Sequence, residues 1–139
     1  MAETLYFKFS TKDPEFKTWT VNVDNPVPNN LIQHAFVSTP IYDMFDVPIG
    51  YKVSDDYVQQ VNESQYLVRI HNTYYIQNKG TISWDYCFLN DKPQIYYPVN
   101  KIAASNITST TGSYFSKTGV VSLDPKEDGT RFVTVIFNF

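Results

Sequence analysis

Residues 66–90, YLVRIHNTYYIQNKGTISWDYCFLN, decide the fold that we expect for this chain. The stretch predicts a long β-hairpin with the loop Asn78-Lys79-Gly80, because hairpin loops of this length favour a glycine in the left-handed position at their end. This loop places Gln77 opposite Thr81. A slip by one residue would turn a whole apolar face to solvent, so the alternation of side chains favours this register.

The predicted register divides the hairpin into an apolar face and a polar face. The apolar face carries Val68, Ile70, Tyr74, Ile76, Ile82, Trp84, Tyr86 and Phe88. The polar face carries Arg69, His71, Thr73, Ser83, Asp85 and Cys87. On the polar face His71 lies opposite Cys87, and Asp85 is diagonal to His71.

The composition predicts a folded chain that is rich in strands. The chain has 139 residues, 42% hydrophobic and 17% aromatic, with only 18% charged. This size is typical of one domain, which we place at residues 1–139, and it is long enough to bury a core. Aromatic and β-branched residues favour strands, and the eight prolines divide the chain into short elements.

Short strands separated by turn signals predict an all-β fold, either a barrel or a β-sandwich. We expect strands at residues 5–10, 19–23, 33–38, 50–54, 66–77, 81–89, 99–108, 119–123 and 131–137. Residues 24–30 and 39–48 are expected to be connections, and Asp55-Asp56 a polar break. The final strand is apolar on both faces, which is typical of a barrel wall covered from outside by another chain or by the chain's own tail.

Charge and cysteine content limit the partners and the compartment. The net charge is −3 and no basic run occurs, so we expect no nucleic-acid binding. The single cysteine, Cys87, excludes an intrachain disulfide and favours a reducing, intracellular compartment. The sequence shows neither a signal-peptide pattern nor an apolar run long enough to cross a membrane, so we expect no membrane partner.

Four stretches of the sequence resemble the allene oxide cyclase and dirigent β-barrel families. They are TPIYDMFDVPIGYK (residues 39–52), GTIS (80–83), NITSTTGSYFSKTGVVSL (106–123) and GTRFVTVIF (129–137). The third is the most specific, because the families read roughly T-G-G-T-G-x-F-x-G-x-x-G-x-V there. In this chain Thr111-Gly112-Ser113-Tyr114-Phe115 and Gly119-Val120 hold those places.

The resemblance implies a single antiparallel eight-stranded barrel, commonly a trimer, which encloses an apolar cavity for a reactive small molecule. Two departures limit what it carries over. The N-terminal Y-E-x-N-E-x-D-R-type motif of the plant cyclases has no counterpart in residues 1–16, and the family's glycine pairs are reduced to single glycines. We therefore transfer no catalytic residue from these families.

His71, Cys87 and Asp85 are the candidates for chemistry. Directly opposed Cβ atoms lie about 4.5–5.5 Å apart, so a histidine opposite a cysteine can activate the thiol while a carboxylate orients the ring. The alternative is an inert thiol on a polar strand face, which we favour because no nucleophile signature surrounds Cys87. His71, His34 and Cys87 show no metal-ligand spacing, so we predict neither a metal nor a cofactor.

For ligand binding we single out Arg69, Tyr74, Trp84 and Tyr86. The aromatic residues can line a pocket for a flat ligand, and an arginine can bind an anionic group. Core packing and subunit contact are the competing explanations of the tyrosines. Arg69 and Arg131 are the only arginines, and we expect both to form surface ion pairs, for example with Asp85 or Asp128.

Three functions remain. We rank first a non-enzymatic barrel that assembles with itself, most readily as a trimer, or within a larger structure. The richness in Asn, Ile, Lys and Tyr suits an AT-rich genome, such as those of several protists, low-GC bacteria and large DNA viruses. For a large DNA virus, this role includes a virion component. The first alternative is a barrel that binds a small hydrophobic molecule or acts as a cyclase or dirigent-like protein. The second alternative is a Cys-dependent enzyme.

Overall fold

A computed structural model describes residues 3–22 and 31–138 of the chain. The predicted loop at residues 24–30 lies outside the described residues. Within them, the chain folds into nine strands, and its only helical element is one 3-10 turn at Gly112–Tyr114. The strands are β1 (Glu3–Ser10), β2 (Lys17–Asn22), β3 (Leu31–Tyr42), β4 (Pro48–Asn62), β5 (Gln65–Ile76), β6 (Gly80–Asn90), β7 (Ala103–Thr110), β8 (Thr118–Pro125) and β9 (Thr130–Asn138).

Eight strands close into an antiparallel barrel, and one extra strand lies outside it. The prediction of an all-β, eight-stranded antiparallel barrel is therefore confirmed. The sheet order is β1-β9-β8-β7-β6-β5-β4-β3-β2, and β1 also pairs with β3, at Lys8 and Tyr42. That pairing closes the cylinder and leaves β2 outside it, on the first half of β3. Because neighbouring strands are antiparallel, β1, β4, β6 and β8 all end at the same end of the barrel, which we call the upper mouth.

Strand β3 is longer than the sequence predicts. It continues through Pro40 to Tyr42, where we expected a connection. A proline lacks the N–H that a central strand needs. β2 pairs with β3 only as far as Ser38, so Pro40 is paired with β4 alone and its missing donor is not required.

Strand β4 also exceeds its prediction, because it runs through Asp55 and Asp56 to Asn62. The predicted polar break is wrong for a physical reason: Asp56 points into the barrel and Asp55 points out of it. Strand β7, in contrast, begins only at Ala103, and residues 99–102 belong to the preceding connection.

The β5–β6 hairpin has the predicted faces but a different register. Ile76 faces Gly80, and the Lys79 N–H donates to the Ile76 carbonyl at 3.0 Å, so the loop is Gln77-Asn78-Lys79. Asn78 takes the left-handed conformation at φ 62°, which glycine was expected to take. The displacement is two residues, the period of a strand, so every side chain keeps its predicted face.

The Thr-Gly turn that carries the family resemblance packs on this hairpin. A Cβ atom at Gly80 would lie 2.1 Å from the Thr111 carbonyl oxygen, so only glycine allows the two segments to meet. The Ser113 N–H donates to the Lys79 carbonyl at 2.6 Å, and the Thr111 N–H to the Thr81 carbonyl at 3.1 Å. The turn therefore attaches the β7–β8 connection to the lower end of the barrel.

The core lies inside the barrel. It contains alternate residues of every barrel strand, among them Phe7, Ile41, Val58, Tyr74, Trp84, Val121 and Phe137. In the described ranges, 3–22 and 31–138, no helix has the length and apolar character to cross a membrane.

Candidate functional site

A group of polar side chains is buried inside this apolar core. Lys52 and Asp56 on β4 are each 4% exposed, and Asn72 on the neighbouring strand β5 is fully buried. Ser54, between the two charged residues on the same face of β4, is buried as well. Buried charges and amides are unfavourable unless they are paired, so this cluster needs an explanation.

Lys52 is held by weak partners. Its Nζ donates to Ser54 Oγ at 2.9 Å and lies 5.1 Å from the centre of the Phe9 ring. Burial lowers the pKa of Lys52 from 10.5 to about 8, although the charge of Asp56 opposes this change. At neutral pH the side chain therefore still carries its proton, but it releases that proton more readily than a solvent-exposed lysine does.

Asp56 is shifted in the opposite direction. Burial raises the pKa of its carboxyl group, and the nearby Lys52 and Ser54 only partly compensate. Its Oδ1 atom has no hydrogen-bond partner among the described residues. A carboxyl group in this environment is able to hold or to accept a proton.

Asn72 connects the polar cluster to Tyr97. Asn72 Nδ2 donates to the Tyr97 hydroxyl oxygen at 2.9 Å, while Asn72 Oδ1 has no partner among the described residues. Beside them the buried Trp84 Nε1 donates to the Tyr74 hydroxyl oxygen at 3.0 Å. Burial raises the pKa of both tyrosines, so both phenols are neutral at physiological pH.

Tyr97 belongs to the connection between β6 and β7, which closes the upper mouth. Residues 91–102 form no regular structure, yet Ile95 and Tyr97 are 8% and 7% exposed and join the barrel core. Long irregular connections inside a compact domain are often functional. Here the connection inserts two side chains into the barrel from above.

Two cavities meet at these residues. An open cleft of about 460 Å³ lies over the mouth, and a cavity of about 20 Å³, enough for one water molecule, lies beneath it. Both are lined by Thr11, Tyr96, Tyr97 and Arg131. Lys52 and Asp56 line the inner cavity only. The cleft is large enough for a small molecule, and Tyr97 and Arg131 separate it from the polar cluster.

Arg131 lies at the edge of the cluster. It is 6% exposed, and its Nη1 atom donates to the carbonyl oxygens of Lys126 at 3.1 Å and Thr130 at 3.3 Å. Burial lowers the pKa of its guanidinium group. The prediction of a surface ion pair is therefore wrong for Arg131, because its side chain points into the mouth of the barrel.

The predicted ligand-binding residues fall on opposite sides of the barrel wall. Tyr74 and Trp84 are fully buried inside, and Tyr86 is partly buried next to them. Arg69 is exposed on the outer face, where it lines a surface cavity together with Tyr86, and the structure does not bring it together with Tyr74 and Trp84.

The predicted catalytic residues also lie on the outer face, in a different arrangement. His71 lies opposite Asp85 and shares a hydrogen bond with it, and Cys87 lies opposite Arg69. The predicted pairing of His71 with Cys87 is wrong because the hairpin register differs by two residues. His71, Asp85 and the exposed Cys87 line a surface cavity of about 450 Å³. Among the described residues that line it, none has a buried polar atom without a hydrogen-bond partner, in contrast to the interior cluster. The described residues contain no group of three or more metal-ligating side chains.

Sequence reasoning missed Lys52, Asp56 and Asn72, and it did not distinguish Tyr97 from the other tyrosines. The signal for the first two was present, because Lys52, Ser54, Asp56 and Val58 recur at every second position, as one face of a strand does. The adjacent Asp55 and Asp56 indicated a polar break after the strand instead. Nothing in the sequence places Tyr97 against Asn72, since that contact depends on the path of an irregular connection.

Comparison with known proteins identifies the fold. No protein-family model and no curated protein sequence matches the chain. Among solved structures, pyocyanin demethylase is similar with a TM-score of 0.64 and 13% identity, over 98% of this chain and 100% of that chain. AbnU, an exo-specific intermolecular Diels-Alderase, is similar with a TM-score of 0.62 and 12% identity, over 99% and 96%. These likenesses show a shared small-barrel fold and do not identify the allene oxide cyclase family.

The comparison corrects the function that the sequence ranked first. Both similar barrels are named as enzymes, which overturns the prediction of a non-enzymatic structural barrel and leaves its virion role without support. The first alternative, a barrel that binds or converts a small molecule, agrees better with this finding.

Proposed function

We propose that this protein is a small-molecule barrel that admits a mainly apolar compound through the upper mouth and promotes its reaction at Lys52 and Asp56. The observation that carries the proposal is the buried cluster. Lys52 and Asp56 line a cavity beneath an open cleft, Asn72 donates to Tyr97 in the lining of that cavity, and one oxygen each of Asp56 and Asn72 has no partner among the described residues. Such groups cost stability, and strongly shifted pKa values are concentrated at functional sites.

The chemistry of the cluster supports proton transfer and the stabilisation of negative charge. The Lys52 ammonium group stabilises an oxygen on which negative charge develops during a reaction, and it does so strongly in a water-poor interior. Asp56, with its raised pKa, is suited to take up or release a proton. An electron-rich oxygen on the ligand, such as a carbonyl, enol or phenol oxygen, fits this pair.

Two lines of comparison support the assignment to barrels that act on a small molecule. One similar barrel is named a demethylase and the other a Diels-Alderase. The resemblance to the allene oxide cyclase and dirigent families points to a cyclisation or coupling reaction inside a barrel. The proton transfer proposed at Lys52 and Asp56 is inferred from the residues of this chain, and no residue role is taken from those proteins.

Binding is tested with the fluorescent probe 8-anilinonaphthalene-1-sulfonate, which combines apolar rings with an anionic group. We expect the native protein to bind it and Lys52→Met to bind it at least 10-fold more weakly. Lys79→Met, on the exposed hairpin loop, is the matched control and should bind like the native protein. Equal binding by all three proteins would place the probe outside the barrel and refute the proposed site.

Turnover is tested by incubating native protein and Lys52→Met with an apolar extract of the expression host. Mass spectrometry should reveal compounds that the native protein consumes and the variant does not. If the native protein binds the probe but consumes no compound, the catalytic half of the proposal fails and a binding barrel remains.

A further inference from the structure

We infer that the ligand carries a planar aromatic ring with a hydroxyl or carbonyl oxygen, and that Tyr97 holds the place of this ring in the ligand-free protein. The inference rests on the proposed function, because it specifies the ligand of the same interior site.

The ring of Tyr97 lies on an aromatic shelf formed by strand β6. Trp84, Tyr86 and Phe88 occupy alternate positions of β6 and face the interior side of the barrel. The centres of their rings lie 6.4, 6.0 and 6.3 Å from the centre of the Tyr97 ring, at interplanar angles of 13°, 34° and 27°. The Tyr97 ring stacks on Trp84 and Phe88 and is tilted against Tyr86, and a surface on which a ring stacks favours a flat occupant over a saturated, puckered one.

The oxygen of Tyr97 lies at the polar end of this shelf. Its hydroxyl group accepts the hydrogen bond from the fully buried Asn72, and it lines the same small cavity as Asp56 and Arg131. Asn72 Oδ1 remains partnerless, although it is fully buried. The position therefore recognises an aromatic ring that carries an oxygen, and it offers an additional acceptor that Tyr97 does not use.

The connection that carries Tyr97 is held loosely enough for a ligand ring to replace the Tyr97 side chain inside the barrel. The strands of the barrel wall are paired with their neighbours through backbone hydrogen bonds, whereas residues 91–102 form no strand or helix. Near Tyr97, Tyr96 is 50% exposed, Val99 43% and Ile102 66%, so the outer side of the connection has little packing to lose. Segments with few buried contacts open at low free energy. Withdrawal of Tyr97 would join the outer cleft to the inner cavity, because both are lined by this side chain.

The test is isothermal titration of 2-naphthol, which has a planar ring system and one hydroxyl group. If Tyr97 competes for the same place, Tyr97→Ala should bind 2-naphthol at least 10-fold more tightly than the native protein. Tyr6→Ala, the matched control on the outer face of β1, where Tyr6 is 60% exposed, should leave the affinity unchanged. Decahydro-2-naphthol has the same hydroxyl group on saturated rings and should bind at least 10-fold more weakly than 2-naphthol.

Two further variants keep the inference falsifiable if Tyr97→Ala does not fold. Tyr97→Phe keeps the ring but loses the bond to Asn72, so it should also bind 2-naphthol more tightly than the native protein. Asn72→Leu should weaken the binding of 2-naphthol. Unchanged affinity in Tyr97→Phe, or equal affinity for the planar and the saturated compound, would overturn the inference.

The outcome separates this inference from the proposed function. If 8-anilinonaphthalene-1-sulfonate binds in a Lys52-dependent manner while 2-naphthol shows no dependence on Tyr97, the interior site stands and the aromatic ligand class is refuted. If neither compound binds, both proposals fail.

Discussion

Lys52 is the residue at which the proposed function and the stability of the barrel conflict. Its pKa falls from 10.5 to about 8 on burial, so below about pH 8 the folded protein holds a charge that would be more stable in the unfolded chain. At about 1.4 kcal/mol per pKa unit, the penalty at neutral pH is about 3 kcal/mol. Between about pH 8 and pH 10.5 the unfolded chain binds more protons than the folded protein, so this penalty disappears as the pH rises.

Lys52→Met should therefore be more stable than the native protein at pH 7, by up to about 3 kcal/mol. The thioether also packs well beside the Phe9 ring. Urea denaturation at pH 7, 8, 9 and 10 measures the effect, and the advantage of the variant should shrink over that series. Taking the difference between the two proteins cancels the contribution of the buried tyrosines.

The control for this experiment is Lys101→Met, at an exposed position. It should change the free energy of unfolding by less than about 0.5 kcal/mol at every pH. A stability difference between native protein and Lys52→Met that does not vary with pH would show that Lys52 has the same pKa in the folded and unfolded chain.

At the scale of elements, the register of the β5–β6 hairpin decides which side chains on the outer face meet. Arg69 lies directly opposite Cys87, and His71 is diagonal to Cys87. Opposed Cβ atoms lie about 4.5–5.5 Å apart and diagonal ones about 7–8 Å, whereas a disulfide needs about 3.5–4.5 Å. Mild oxidation should therefore join Arg69→Cys to Cys87 after a small adjustment, and His71→Cys should remain reduced.

Mass spectrometry of the monomeric protein under non-reducing conditions detects the bond as the loss of two hydrogens. The two variants control for each other, because both carry one additional cysteine on the same strand face. A disulfide bond to Cys87 in His71→Cys and not in Arg69→Cys would contradict the observed register and support the register that the loop Asn78-Lys79-Gly80 predicts.

The hairpin also shows how far the sequence determines an element. Its faces were predicted correctly although its register was not, because alternation defines faces and a displacement of two residues preserves them. The exact register depends on the loop, and here Asn78, two positions before Gly80, takes the left-handed conformation.

Strand β4 shows why the candidate site was harder to predict than the barrel. Asp56 violates the rule that strand positions facing a core are apolar, so the sequence indicated a break where the strand continues. Local rules fail most often where a protein retains costly groups for function. Tyr97 was not predictable by any periodicity, because its connection has none.

At the scale of the whole molecule, the extra strand β2 presents an open sheet edge among the described residues. Within residues 3–22 and 31–138, β2 pairs with β3 only. Its Trp19 is 66% exposed and stacks on Phe36, with ring centres 5.4 Å apart, beside an outer groove of about 520 Å³. An open edge next to exposed aromatic side chains is suited to pairing with another chain. We propose that it pairs with a second copy, in the trimer that the sequence predicts.

Trp19→Ser should weaken this assembly at least 10-fold, because it removes the aromatic anchor of the proposed interface. Size-exclusion chromatography with light scattering, at micromolar concentration, should give the mass of a trimer for the native protein and a monomer for the variant. Phe115→Ser is the control, because Phe115 is 73% exposed on the β7–β8 connection, away from β2, and should leave the trimer intact. A monomeric native protein would refute the assembly. Loss of the trimer in both variants would refute an interface centred on Trp19.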